Sequence, residues 1–122
     1  MKKAIANKWI KALRSGKYKR TKEVLCKQQE DGNKQYCCLG VLCDLYMKEK
    51  GGKWYATNGN PFDALKFAGM EQSLPEKVRK WAGMKSDVGH YDSRYDSLSD
   101  RNDAGTSFKR IADIIEKNVG KL

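Results

Sequence analysis

The chain has 122 residues, a 39% hydrophobic share, twelve aromatic side chains and a formal net charge of +10. That length supports one domain over residues 1–122 with a single modest core, and the apolar and aromatic content argues against disorder. No apolar run approaches the ~18 residues of a membrane span, and no apolar stretch of signal-peptide length follows the basic segment Met1–Trp9, so a reducing cytoplasm is the expected location.

Ile5, Trp9, Ile10 and Leu13 fall on one stripe of an amphipathic helix, with lysines on its other faces and Gly16 placed to end it. Glu23–Lys27 reads as a short strand, Glu30–Asn33 as a turn, and Lys34–Cys37 as the antiparallel return of a hairpin. A helix is expected from residue 38 to 50. Its stripes Cys38, Leu42, Leu45 and Leu39, Cys43, Tyr46 make an apolar face wide enough to require burial, and Gly51-Gly52 stops it. Lys53–Thr57 reads as another strand, closed by Asn58–Pro61.

Phe62–Gly69 is ambiguous between a short helix and an irregular segment. Pro75 suits the first turn of a helix running through Val78 and Trp81 to Gly83. Residues 84–97 read as an exposed loop with a small repeat, Tyr91-Asp92-Ser93 and Tyr95-Asp96-Ser97. A helical turn near Leu98–Asp103 precedes Gly105. The last helix starts after Ser107, a good N-cap, and buries Phe108, Ile111, Ala112, Ile115 and Val119, while Asp113 and Lys117 are spaced to pair on its outer face. The sum is an α+β fold: amphipathic helices packed on a small, mainly antiparallel sheet.

Charge is uneven. Residues 2–22 hold nine basic side chains and no acidic one, whereas residues 86–104 hold five aspartates against Arg94 and Arg101. A one-sided basic field attracts nucleic acid, phosphorylated small molecules or an acidic protein surface, although a lysine-rich surface serving solubility carries the same charge. Within that field, Arg14-Ser-Gly-Lys17-Tyr18-Lys19-Arg20-Thr-Lys22 combines a glycine-broken helix end with five basic groups and a tyrosine. Phosphates need convergent cationic donors and bases need aromatic faces, for which Tyr18, Tyr36, Trp54 and Tyr55 are candidates. A solvated connector with its aromatics in the core is the plainer account of the same residues.

The catalytic options are thin. Cys26, Cys37, Cys38 and Cys43 match a four-thiolate zinc site in number but not in spacing, because two are adjacent and two lie in a helical run. Core packing is their expected role. The single histidine, His90, sits in a polar loop, so a Cys–His dyad would have to bring that loop onto a core helix. Asp100 and Asp103, interleaved with Arg101 and Asn102, read as caps and ion pairs rather than metal ligands. There is no P-loop, no G-x-G-x-x-G and no H-E-x-x-H, so no catalytic residue, metal or cofactor is expected. Residues 104–115 look like the first half of a helix-turn-helix, but only seven residues follow, and a plain amphipathic helix explains the pattern.

Four blocks carry a resemblance. They are Lys8–Tyr18; Tyr36-Cys-Cys-Leu-Gly-Val-Leu-Cys43-Asp-Leu; Leu74-Pro75 with Trp81-Ala-Gly83; and Leu98-x-x-x-Asn102-Asp103-x-Gly105-x-Ser107-Phe108-x-x-Ile111-Ala112-Asp113. In this order they resemble a family of small proteins encoded by phages and prophages; the Tyr91–Ser97 repeat and the surplus lysines do not belong to its pattern. The resemblance implies no catalytic residue set. It implies work in the host bacterial cytoplasm, where small accessory phage proteins neutralise defences, one class by sequestering the cyclic nucleotides of immune signalling.

The expectation is therefore an anti-defence protein that binds a cyclic or otherwise phosphorylated nucleotide without cleaving it. Arg14, Lys17, Lys19 and Arg20 would hold phosphate, and Tyr18 or Trp54 would stack on a base. A homo-oligomer enclosing the ligand is compatible with this and is not visible in the sequence. The alternatives are a nucleic-acid-binding accessory protein on the same basic face, and an inhibitor of a host defence protein akin to anti-CRISPR proteins.

Overall fold

The computed structural model describes residues 1–57, 59–60, 62–92 and 96–122. Helix α1 (Lys3–Arg14) buries Ile5, Ala6, Trp9, Ile10 and Leu13, the stripe its periodicity predicts plus one alanine. It lies against α5 (Phe108–Asn118), which buries Phe108, Ile111, Ala112 and Ile115; Val119 caps that helix and is partly buried. Ser107 accepts from the Arg110 amide at 3.3 Å, as an N-cap should. The amphipathic reading of this segment holds, since its apolar face is spent on the core.

Helix α2 (Cys38–Lys50) has the expected bounds, and every residue from Cys38 to Asp44 is buried. Cys37 caps it, its Sγ accepting from the Gly40 amide at 3.4 Å. Gly40 is dictated by closeness: a Cβ there would overlap the Leu25 carbonyl. The Trp9 indole donates to the Cys38 carbonyl at 2.9 Å, tying α1 to the first turn of α2. Two short helices, α3 (Glu76–Ala82) and α4 (Leu98–Asp103), pack on the same helix. Pro75 is the N-cap of α3, and Gly83 ends it in the left-handed conformation that glycine tolerates best.

The sheet holds five short strands: β1 (Lys19–Arg20), β2 (Cys26–Gln28), β3 (Lys34–Tyr36), β4 (Trp54–Tyr55) and β5 (Ala64–Phe67), in the order β1-β3-β2-β5-β4. Among the described residues only β1 and β3 pair in parallel. The β2–β3 hairpin pairs Cys26 with Tyr36 and Gln28 with Lys34, and β5 then joins β2 through Leu65 opposite Cys26. The helices and this sheet share one core running from Ile5 to Leu122. The fold is α+β.

Three expectations change. The strand expected over Glu23–Lys27 is β2 and begins at Cys26, because Glu23 takes φ +69° and its amide turns to the Asp103 carboxylate at 2.8 Å. Phe62–Gly69 contains neither a helix nor an irregular run at its centre: Ala64–Phe67 is a strand, burying Leu65 and Phe67 on alternate positions. Asp113 pairs with Arg14 at 2.7 Å and, among the described residues, not with Lys117. The expected Asn58–Pro61 turn and the Tyr91–Ser97 repeat fall partly on Asn58, Pro61, Ser93, Arg94 and Tyr95, which lie outside the described residues.

Candidate functional site

Beside the outer strands, between the β2–β3 hairpin, the residues entering β1 and the second half of α2, lies an open cleft of about 550 Å³. Its rings are Tyr18, Tyr36 and Trp54; its cations are Lys17, Lys19, Lys34 and Lys48; its one carboxylate is Asp44. Gly32 and Asn33 of the hairpin turn complete one rim and Met47 another.

Asp44 organises the walls. It is 4% exposed, in a helical run that is otherwise apolar. A charge so placed needs partners, and three side chains supply them. The Tyr18 hydroxyl donates to Oδ2 at 2.6 Å, the Trp54 indole to Oδ1 at 3.2 Å, and the Lys48 ammonium approaches Oδ2 at 3.4 Å. Lys48 also donates to the Tyr18 hydroxyl at 3.1 Å and lies 5.3 Å from the centre of that ring. Burial, then the hydrogen bond to Asp44, pushes the Tyr18 phenol up, and the bond to Tyr18 raises the Lys48 ammonium. Lys48 is therefore a firm cation and Tyr18 a neutral phenol near neutral pH.

The rings are anchored from behind. Tyr18 meets Tyr36 edge to face at 5.1 Å, Tyr36 meets Trp54 at 5.9 Å, and Trp54 leans on Phe67 at 5.2 Å. Phe67 is 1% exposed and continues the contact through Tyr46 to Trp81. At about 0.5–1.5 kcal/mol per pair, such contacts hold the rings in place before any ligand arrives. The Tyr36 phenol, pushed up chiefly by burial, has no hydrogen-bond partner among the described residues.

Over residues 1–119 the chain matches the model of a family described as "Domain of unknown function (DUF8296)". The chain belongs to this family. The DUF8296 match spans every residue of the cleft. No curated protein and no solved structure matches the chain.

Of the six residues expected to bind ligand, the cleft gathers Lys17, Tyr18, Lys19 and Trp54. Arg14 and Arg20 lie elsewhere. Arg14 donates to Asp113 at 2.7 Å and Glu116 at 2.8 Å, clamping α1 to α5 in a groove on another face. Arg20 donates to the Asn102 carbonyl at 2.8 Å, a structural contact between β1 and α4. Sequence reasoning missed Asp44, Lys48 and Lys34. A signal for the first two was present: an aspartate inside a buried run, four residues before a lysine, invites a search for what solvates it.

The cysteines, His90 and Asp103 lie outside the cleft. All four cysteines are free, buried thiols, and burial pushes Cys26 up to about 12, Cys37 up to about 11, and Cys38 and Cys43 well above the ordinary thiol value. Neutral thiols are poor nucleophiles. His90 is exposed, on a separate groove with Lys85 and Lys121. Asp103 is engaged by the Glu23 amide. A smaller groove of about 280 Å³ between α4 and α5 is lined by Arg101, Arg110 and Lys117, but it has no aromatic face. No helix among the described residues is long and apolar enough to cross a membrane.

Proposed function

We propose that the chain binds a cyclic or otherwise phosphorylated nucleotide in the Tyr18–Trp54 cleft and sequesters it uncleaved. One observation carries the reading: four lysines and three preorganised aromatic rings converge on one open cleft. Stacking on a base is worth about 1–3 kcal/mol, and ammonium groups supply the sequence-independent hold on phosphate. The cleft's one carboxylate already accepts three donors. That arrangement suits a wall better than a general base, which must be free to take a proton. Set in the phage-encoded family the sequence resembles, sequestration in the bacterial cytoplasm withdraws an immune signal from its receptor.

The test is thermal stabilisation of the purified protein by a panel of cyclic di- and trinucleotides at low and high salt. Ligand that binds only the native state must raise the melting temperature. The expected result is a shift for one or two compounds that survives added salt, with the compound recovered intact by chromatography. A flat panel sinks the reading. Recovery of a shortened or linearised product replaces it with an enzyme.

A further inference from the structure

Charge in the cleft is divided between committed and uncommitted groups. Lys48 is committed: it faces Asp44 at 3.4 Å and bonds Tyr18 at 3.1 Å. Lys17, Lys19 and Lys34 line the same cleft, and among the described residues none of their ammonium groups makes an ion pair or hydrogen bond. Asp31 at the hairpin tip accepts from the Asn33 amide at 2.9 Å and attracts Lys19 at longer range, without a direct ion pair to it. The cleft therefore holds three lysines with no direct ion pair among the described residues, Lys19 attracting the Asp31 carboxylate only at longer range.

We infer that the ligand of this cleft is a nucleotide bearing at least two negative charges on phosphate, and that singly charged cyclic mononucleotides are excluded. This rests on the nucleotide reading above and sharpens it. A single charge leaves the set of Lys17, Lys19 and Lys34 under-neutralised beside a desolvating ligand, which strengthens their mutual repulsion. Two or three charges neutralise the set. The lysines come from neighbouring strands, Lys17 and Lys19 flanking Tyr18 at β1 and Lys34 opening β3, which pairs with β1. Phosphate oxygens then sit toward the hairpin while a base meets Tyr18, Tyr36 or Trp54.

Calorimetry on the full chain decides it, using adenine and guanine compounds in four charge states: the nucleoside, the 3′,5′-cyclic monophosphate, the cyclic dinucleotide and the 5′-diphosphate. Inorganic pyrophosphate serves as the base-free control. The expected result is a gain of about tenfold or more between one and two phosphate charges, the scale of one charge-assisted hydrogen bond. That gain should vanish in the Lys17→Ala/Lys19→Ala/Lys34→Ala variant, whose ligand-free melting temperature checks folding. Equal affinity for the cyclic monophosphate and the cyclic dinucleotide overturns this inference and leaves the nucleotide reading standing. Silence across all compounds, or pyrophosphate binding as tightly as the 5′-diphosphate, overturns both. Affinity that appears only with oligonucleotides and climbs with their length replaces both with a polymer-binding surface.

Discussion

Asn102 and Asp44 are two polar side chains buried to nearly the same depth, at 0% and 4% exposure, and they serve different ends. Asn102 bonds only main chain. Its Oδ1 accepts from the Cys38 amide at 3.1 Å, and its Nδ2 donates to the Thr21 carbonyl at 2.8 Å. Its own carbonyl receives Arg20. One amide thus joins α4, the first turn of α2 and the residue after β1. Asp44 bonds only side chains, and all three line the cleft. The difference teaches that the identity of the partners, more than depth of burial, says whether a buried polar group serves the fold or a site.

The sharpest way to break the comparison is Asn102→Ala. It leaves the Cys38 amide and Thr21 carbonyl without their partner, at about 1–3 kcal/mol for each buried group left unmet. Against a typical total of about 5–15 kcal/mol, that is a large fraction of stability. A fall of about 2–4 kcal/mol in urea unfolding is expected, with nucleotide affinity unchanged in the protein that remains folded. A loss well under 1 kcal/mol would mean water takes over both bonds, and Asn102 would not be the joint described here.

Asp44→Asn comes next, and its two possible outcomes have opposite signs. Asparagine can still accept from Trp54, but its amide then faces the Tyr18 hydroxyl, and Lys48 loses its counter-ion. The stability cost should be smaller, about 1–2 kcal/mol, since Lys48 is mostly solvated. If Asp44 only balances charge, removing it should tighten anion binding. If it holds the rings, binding should weaken despite the added positive charge. Loss of one stack costs about 1–3 kcal/mol, whereas an exposed ammonium gains less than about 1 kcal/mol. The expected result is weaker binding, read by calorimetry against the same nucleotide series.

Much of the frame was legible because it depends on local periodicity. The α1 and α5 stripes, the bounds of α2, the Ser107 cap and the β2–β3 hairpin each repeat at the spacing their element requires. The β5 strand was legible in principle, since Leu65 and Phe67 alternate with Ala64 and Lys66, but four residues are too few for a period to declare itself. β1 is two residues long and exists only through its parallel pairing with β3. Of the six residues expected to bind ligand, Lys17, Tyr18, Lys19 and Trp54 share one cleft. The two arginines lie outside it, and a sequence does not show which cations already have partners: Arg14 meets its acids about a hundred residues away, and Arg20 meets the Asn102 carbonyl.

That placement gives the smallest effect and the cleanest control. Arg14→Ala removes two ion pairs on an open face, where water and salt already screen the charges. The melting temperature should fall by no more than about 1–3 °C. Nucleotide affinity should not change, although the variant loses the same unit of charge as Lys19→Ala, which should weaken binding. Salt titration separates the two further, because only the Lys19 variant should flatten the salt dependence of binding. If Arg14→Ala and Lys19→Ala weaken binding equally, long-range charge rather than the cleft is attracting the ligand, and the contrast between Asp44 and Asn102 loses its functional meaning.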